Sequence, residues 1–387
     1  MAKRSFRPAV SAFLLMLTMS LLSTALSFFV APVCEDMGFG RGSFTLYYSL
    51  MVAAGAVSAS VLGNHMNKRG VRGVILISAV WCCAGAWGLS FATQLWMFYI
   101  IGAAIGFFGT TCVYLAANVI VQQSYHSSQA SAILGIVMAG AGIGGVICSN
   151  LFPSLIASMG WRMGYRVLGL MWLSLALLSA LILGKQEPTV AIGHAKADES
   201  AGKKEALRSL RFVLVVVVMC VLTCASCISQ QLPAVLGSLG HAGEQIGLMI
   251  SVMTAFSAVG TVAEGLVCSK IGIQKTMVIV IVLYAVGYVL MATNTLVYVA
   301  LMCLAFGSGA IGTLMPIVVR TIFGGVHYAA IWSVVITCSS VASFLATPVW
   351  GMVYDFSGSY MIALVTMPVL LGSSVFALTA AFKAKQR

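Results

Sequence analysis

Gly63-Asn64-His65-Met66-Asn67-Lys68-Arg69-Gly70-Val71-Arg72 follows one long apolar run and precedes another. A second version, Gly265-Leu266-Val267-Cys268-Ser269-Lys270-Ile271-Gly272 with Lys275 close behind, lies 202 residues further on. Both copies read glycine, three residues, a small polar residue, lysine, one residue, glycine, then more positive charge. A glycine at the end of a membrane helix lets a neighbouring helix approach closely, and the basic turn beyond it resists passage through lipid. Gly63, Asn67, Lys68, Gly70 and Arg72, matched by Gly265, Ser269, Lys270 and Gly272, are therefore expected to be hinges, one set in each half of a duplicated membrane bundle.

The same ungapped register holds well beyond the hinges. Ser27 falls on Ser229, Gly38 on Gly240, Ser49 on Ser251 and Gly85 on Gly287. Two homologous halves in parallel orientation explain a repeat of this length.

Composition fixes the solvent. The chain has 387 residues, 60% hydrophobic and only 8% charged, with a mean hydropathy of +1.03. So much apolar surface cannot be hidden in a soluble protein of this size, which makes the lipid bilayer a partner of the chain. The formal charge of +12 is spread over short loops and forms no stripe, so nucleic acid is not expected as a partner. The eleven cysteines lie almost entirely within apolar runs, unlike a disulfide framework or zinc site, and read as helix-packing residues.

A membrane-spanning helix needs about 20 apolar residues. On that count twelve spans are expected, at 8–31, 43–63, 73–92, 96–121, 130–156, 163–184, 211–236, 245–268, 276–293, 296–320, 329–354 and 360–382. The fold class is thus an all-α membrane protein, with twelve transmembrane helices in two pseudo-symmetric six-helix bundles. The bundles are residues 1–184 and 211–387, joined by the polar linker 185–210. Eighteen of the 21 Lys and Arg residues fall in the termini, the linker, the hinge turns and at Arg320; only Arg41, Arg162 and Arg166 face the other side. By the excess of positive charge in cytoplasmic loops, both termini are expected in the cytoplasm of a cell whose inner or plasma membrane holds the protein.

The duplicated hinge, the twelve spans and the linker resemble the major facilitator superfamily along nearly the whole chain. Within it, the chain is similar to the branch of oxalate/formate antiporters and monocarboxylate porters. The supporting residues are Phe44-Thr45-Leu46-Tyr47-Tyr48-Ser49-Leu50, Tyr114, Gly160-Trp161-Arg162-Met163-Gly164-Tyr165-Arg166 and Asp355-Phe356-Ser357-Gly358-Ser359-Tyr360. The resemblance implies alternating access to a small-molecule substrate midway through the bilayer. The substrate it implies is a small organic acid, a monocarboxylate or dicarboxylate, moved by proton symport or by exchange for a counter-anion. The chain departs from the pattern at Asn67 and Ser269, where the superfamily usually has aspartate. It departs again at Thr261, where the branch often has an arginine for a substrate carboxylate.

An ionisable side chain in mid-bilayer is costly and so a functional suspect. Glu264 is the one acid well within an expected helix, either as a proton or cation coupling site or as a partner of Lys270 or another hinge charge. Candidate substrate contacts are otherwise uncharged. They are Tyr114 and Asn118 in helix 4, Gln230 and Gln231 in helix 7, Thr24 in helix 1 and Thr261 in helix 8. Single hydroxyls more often serve helix packing, whereas the bulkier amides and the tyrosine are harder to explain that way. No phosphate-binding loop, metal-binding His pair or nucleophile elbow is present, so neither an enzyme nor a cofactor is expected. Two other functions fit the same residues: export of neutral or cationic amphipathic compounds, and a transporter-like sensor or assembly partner without flux.

Overall fold

In the computed structural model, residues 6–69, 71–125, 127–184, 209–323 and 328–386 are described. They are helical nearly throughout, with no strand among them. Helices are the only open-ended elements that satisfy every backbone group within lipid.

The spans, in chain order, are α1 (Arg7–Met37), α2 (Arg41–Arg69), α3 (Val71–Ser90) and α4 (Leu95–Phe108 continued by Thr110–Ser124). Ser127–Leu183 then runs through Gly160, whose φ of 79° and ψ of 163° are not helical; this kink separates α5 (127–159) from α6 (161–183). The second set is α7 (Leu210–Gln230), α8 (Gly243–Ile271), α9 (Ile273–Ala292), α10 (Val297–Phe323), α11 (Tyr328–Ser357) and α12 (Met361–Gln386). Ten helices among the described residues are long and apolar enough to cross a membrane by length and composition alone. Dividing the 48-residue Ile136–Leu183 at Gly160 and adding the less apolar α2 gives the twelve spans expected from the sequence.

The repeat is written into the element boundaries. α2 and α8 are both 29 residues long and α3 and α9 both 20, and in each pair the starts and ends are 202 residues apart. α1 tightens into a 3₁₀ turn at Ala25–Phe29 and α7 does so at Cys227–Gln230, the corresponding place. Gly38 and Gly240, likewise paired, both take positive φ, 67° and 93°, at the turns that follow.

The chain divides into two compact units, Met1–Gly193 with Gln230–Ser251, and His194–Ser229 with Val252–Arg387. The segment Gln230–Ser251 belongs by sequence to the second half. It is counted with the first unit because Leu232–Ser238 packs on Ala25–Phe29 and Val30–Met37.

In the first unit α1 and α3 pack on Ser127–Leu183 and α2 packs on α4. In the second, α9 packs on α10 and α12, and Leu210–Ser226 packs on α10, α11 and α12. Large aromatic and aliphatic side chains such as Phe29, Tyr165, Trp172, Tyr284 and Leu314 are fully buried. Val80, Ile100, Leu181, Val369 and Phe376 stand exposed, as expected of helices whose outer solvent is hydrocarbon.

Glycines set the close approaches. A Cβ on Gly102 would stand 2.8 Å from the Tyr47 ring, and one on Gly140 2.7 Å from the Phe13 carbonyl. Built on Gly106 or Gly144, it would overlap the backbone of Met51 or the side chain of Ser20. The hinge glycine Gly265 behaves differently from expectation: nothing lies within 4 Å of a Cβ built there, and the residue is exposed. The close contact expected at this position is not made among the described residues. Instead, α8 approaches α10 one turn and more earlier, where a Cβ built on Gly260 would stand 3.1 Å from the Phe306 ring.

Candidate functional site

The sequence-nominated residues fall into both units, and each unit is taken by itself. In the first, Tyr114 and Asn118 are one turn apart on α4 and so share a face. The Asn118 side chain donates to the Tyr114 carbonyl at 2.8 Å. Tyr114 is 45% exposed and Asn118 half-buried, so neither side chain is sealed inside the helix packing. Thr24 is half-buried at the break in α1. Its helix neighbours are spent on packing: Ser20 bonds the Leu17 carbonyl and the Cys148 thiol, and Ser27 the Thr24 carbonyl.

Gln230 and Gln231 sit at the matching break in α7. Gln231 is completely buried, with Nε2 3.5 Å from the Thr45 hydroxyl, and in this arrangement it is closed to a ligand. Gln230 is half-buried, and its Oε1 has no hydrogen-bond partner among the described residues. A buried amide oxygen left without a donor costs about 1–3 kcal/mol, so this one is available for a donor from outside the protein.

A polar cluster that sequence reading missed joins α5 to the start of α8. The Ser149 and Ser251 hydroxyls are 2.6 Å apart, and Asn150 Nδ2 donates to Ser251 Oγ at 2.7 Å. Gly247 makes this possible, because a Cβ there would overlap the Ser149 carbonyl. Ser251 was visible only as the repeat partner of Ser49; nothing in the sequence pointed to Asn150.

In the second unit, α8 and α10 bring Thr261, Glu264, Gly309 and Thr313 together. Glu264 is 2% exposed. Its Oε2 is bonded to the Thr313 hydroxyl, and its Oε1 has no partner among the described residues. A Cβ on Gly309 would lie 3.1 Å from Oε1 and 3.4 Å from the Thr261 hydroxyl, which itself donates to the Ser257 carbonyl at 2.8 Å. The alternative expectation, a pair between Glu264 and Lys270, is not met: Lys270 is exposed, and no ion pair to Glu264 exists among the described residues. The lysine stands a turn and a half away, beyond the end of the buried stretch.

The hinge turns are only partly described. Gly63, Asn67 and Lys68 fall on α2, but their side chains, and Gly70 altogether, lie outside the described residues. Arg72 opens α3 with a buried Nε lacking a partner among the described residues. In the second copy, Ser269 donates to the Leu266 carbonyl of its own helix at 2.7 Å, so its hydroxyl is spent within α8. Gly272 has a φ of 85° and ψ of 158°, a conformation essentially reserved for glycine.

The motif residues that carried the resemblance also find their places. Tyr47 and Tyr165 share a hydrogen bond at 3.2 Å, and Tyr48 donates to the Leu26 carbonyl. Arg162 holds the Ser90 and Ala92 carbonyls at 3.0 and 3.3 Å and lies over the Trp161 ring, whose Nε1 donates to Asp36 at 2.9 Å. These side chains fasten one end of the first unit.

The profile of the Major Facilitator Superfamily matches residues 9–242 and, again, 214–386. The chain belongs to that superfamily. Two overlapping matches restate the internal repeat, and membership makes this facilitator a multi-pass secondary transporter of small molecules rather than an enzyme. The chain is 25% identical to the agnestins efflux protein AgnL12 of Paecilomyces divaricatus over 331 residues, 84% of this chain and 75% of that protein. It is 24% identical to the sialic acid transporter NanX of Escherichia coli over 87% of this chain and 85% of that one. The facilitator's fold is similar to that of the nucleoside transporter NupG, with a TM-score of 0.79 at 15% identity over 97% of this chain and 100% of that chain.

Proposed function

We propose that this facilitator carries a small organic acid, of the monocarboxylate or dicarboxylate type, across the inner or plasma membrane by alternating access, as a proton symporter or anion exchanger. Residues 1–184 and 211–387 act as the two moving bundles, 185–210 as the tether, and both termini face the cytoplasm. The resemblance to the oxalate/formate and monocarboxylate branch supports the substrate class, and the name of NanX, a transporter of sialic acid, agrees with it.

The observation that carries the reading is the unspent polar set. Tyr114 and Asn118 are uncharged polar side chains on one partly exposed helix face, and the Gln230 oxygen has no hydrogen-bond partner among the described residues. Amides and a phenol hydroxyl can donate to a carboxylate or accept from a carboxylic acid. With Thr261 in place of an arginine, such groups, together with the broken helices at Thr24 and Gln230, replace the missing charge.

Purified protein in sealed vesicles tests this with a panel of monocarboxylates, dicarboxylates, sialic acid, nucleosides and lipophilic cations. Uptake of acids is expected, and Gln230→Ala with Tyr114→Ala should each lower apparent affinity about 5- to 10-fold, the loss of a net hydrogen bond. The 25% identity to an efflux protein favours a second reading, export of amphipathic compounds. Signals with lipophilic cations alone would establish that reading and defeat the first. A ligand that raises thermal stability in the absence of any flux would point to a sensor.

A further inference from the structure

We propose that Glu264 and Thr313 form a proton-binding site within the second unit, with the Thr313 hydroxyl reporting the charge of the carboxyl to α10. Hydrogen counting carries the argument. Thr313 Oγ1 lies in bonding range of two acceptors, Glu264 Oε2 and, at 3.0 Å, the Gly309 carbonyl of its own helix. A hydroxyl has one hydrogen and cannot serve both. When the carboxyl carries a proton on Oε2, that O–H donates to Thr313 Oγ1, and the threonine hydrogen goes to the Gly309 carbonyl. Every hydrogen then has an acceptor, and only the neutral carbonyl oxygen Oε1 lacks a donor.

Loss of the proton to water reverses the threonine. Its hydrogen turns to the carboxylate, the bond to Gly309 is given up, and Oε1 holds negative charge while 98% of the residue is shielded from solvent. An ionised carboxylate without a partner is far costlier to bury than a neutral one. Among the described residues no cation is paired with it. The titratable residues on α8 are Glu244, Cys268 and Lys270, and those on α10, the helix facing the carboxyl, are Tyr298, Cys303 and Arg320. None makes a hydrogen bond or ion pair to Glu264 among the described residues. Gly309 completes the pocket, since a side chain there would press on Oε1 and on the Thr261 hydroxyl. Ionisation therefore favours an arrangement in which α8 and α10 admit water or a cation to Oε1. The use of this proton to drive transport rests on the carrier reading above; the site itself does not.

Infrared difference spectroscopy on the full-length protein in lipid vesicles tests the site directly, with pH as the variable. A carbonyl band of a protonated carboxyl should titrate in the wild type and vanish in Glu264→Gln. Thr313→Val should move its midpoint by about one pH unit, the worth of one hydrogen bond, and Thr313→Ser should restore it. The serine variant keeps the test open should Glu264→Gln fail to fold. Identical spectra for wild type and Glu264→Gln, or an unmoved midpoint in Thr313→Val, would overturn the proposal. So would displacement of the band by sodium chloride at fixed pH, which would assign the site to a metal cation. In the same vesicles, Glu264→Gln should lose at least 10-fold in uptake driven by a pH gradient. An intact gradient-driven rate beside a titrating band would remove the coupling role and leave the proton site standing.

Discussion

At the scale of single residues, Gly307 shows how little room the second unit leaves. A methyl group there would overlap the Tyr284 ring, which is itself fully buried. Overpacking of this kind costs about 1–3 kcal/mol. Gly307→Ala is therefore expected to lower the thermal unfolding temperature in detergent. Gly312→Ala on the same helix meets nothing within 4 Å and should leave it within about 0.5 kcal/mol of wild type. Equal effects of the two substitutions would show that the tight fit at Tyr284 is not made in solution. The same scale separates the nominated polar residues. Gln230 and Gln231 are neighbours with the same side chain, yet one is sealed at 0% exposure and the other keeps an oxygen free. Sequence reading named both, because spacing along a broken helix does not say which way each one turns.

At the scale of elements, the hinge and the crossing of α5 with α8 make separate demands. Gly272 occupies a region that a residue with a Cβ enters only under strain of about 1–3 kcal/mol. Gly272→Ala should lose that much stability, read by thermal unfolding, whereas Ser269→Ala should lose little because its hydroxyl bonds only within α8. At the crossing, Ser251 accepts from Asn150 and pairs with Ser149. A double-mutant cycle of Asn150→Ala and Ser251→Ala should give a coupling of about 0.5–1.5 kcal/mol. A coupling near zero would mean that the two helices part at this point in the membrane. The motifs that announced the family make architectural contacts at this scale: Tyr47 pairs with Tyr165, Tyr48 holds the Leu26 carbonyl and Arg162 the Ser90 carbonyl.

At the scale of the molecule, the charge distribution makes the prediction. Lys and Arg lie overwhelmingly in the termini, the linker and the hinge turns, and such an excess sets orientation during insertion. Reporter fusions at the N- and C-terminus should both be read out in the cytoplasm, and a tag in the loop after Gly38 on the opposite side. A split result for the two termini would require an odd number of spans and would break the two-bundle reading.

What the sequence by itself determined was everything governed by lipid and by the repeat. Twelve apolar runs had to be helices, since unpaired backbone is not tolerated in hydrocarbon. The offset of 202 residues by itself placed α2 on α8 and α3 on α9, whereas the breaks in α1 and α7 came with the structure. Glu264 stood out for the same reason, as a charge where lipid allows few. Only the tertiary structure decided what each polar group faces. It set Thr313 and Gly309, 49 and 45 residues away in the chain, against the Glu264 carboxyl. It also withheld Lys270 from that carboxyl and moved the close approach of α8 away from Gly265. Helical periodicity assigns a residue to a face, but the neighbour that this face meets depends on how the helices cross.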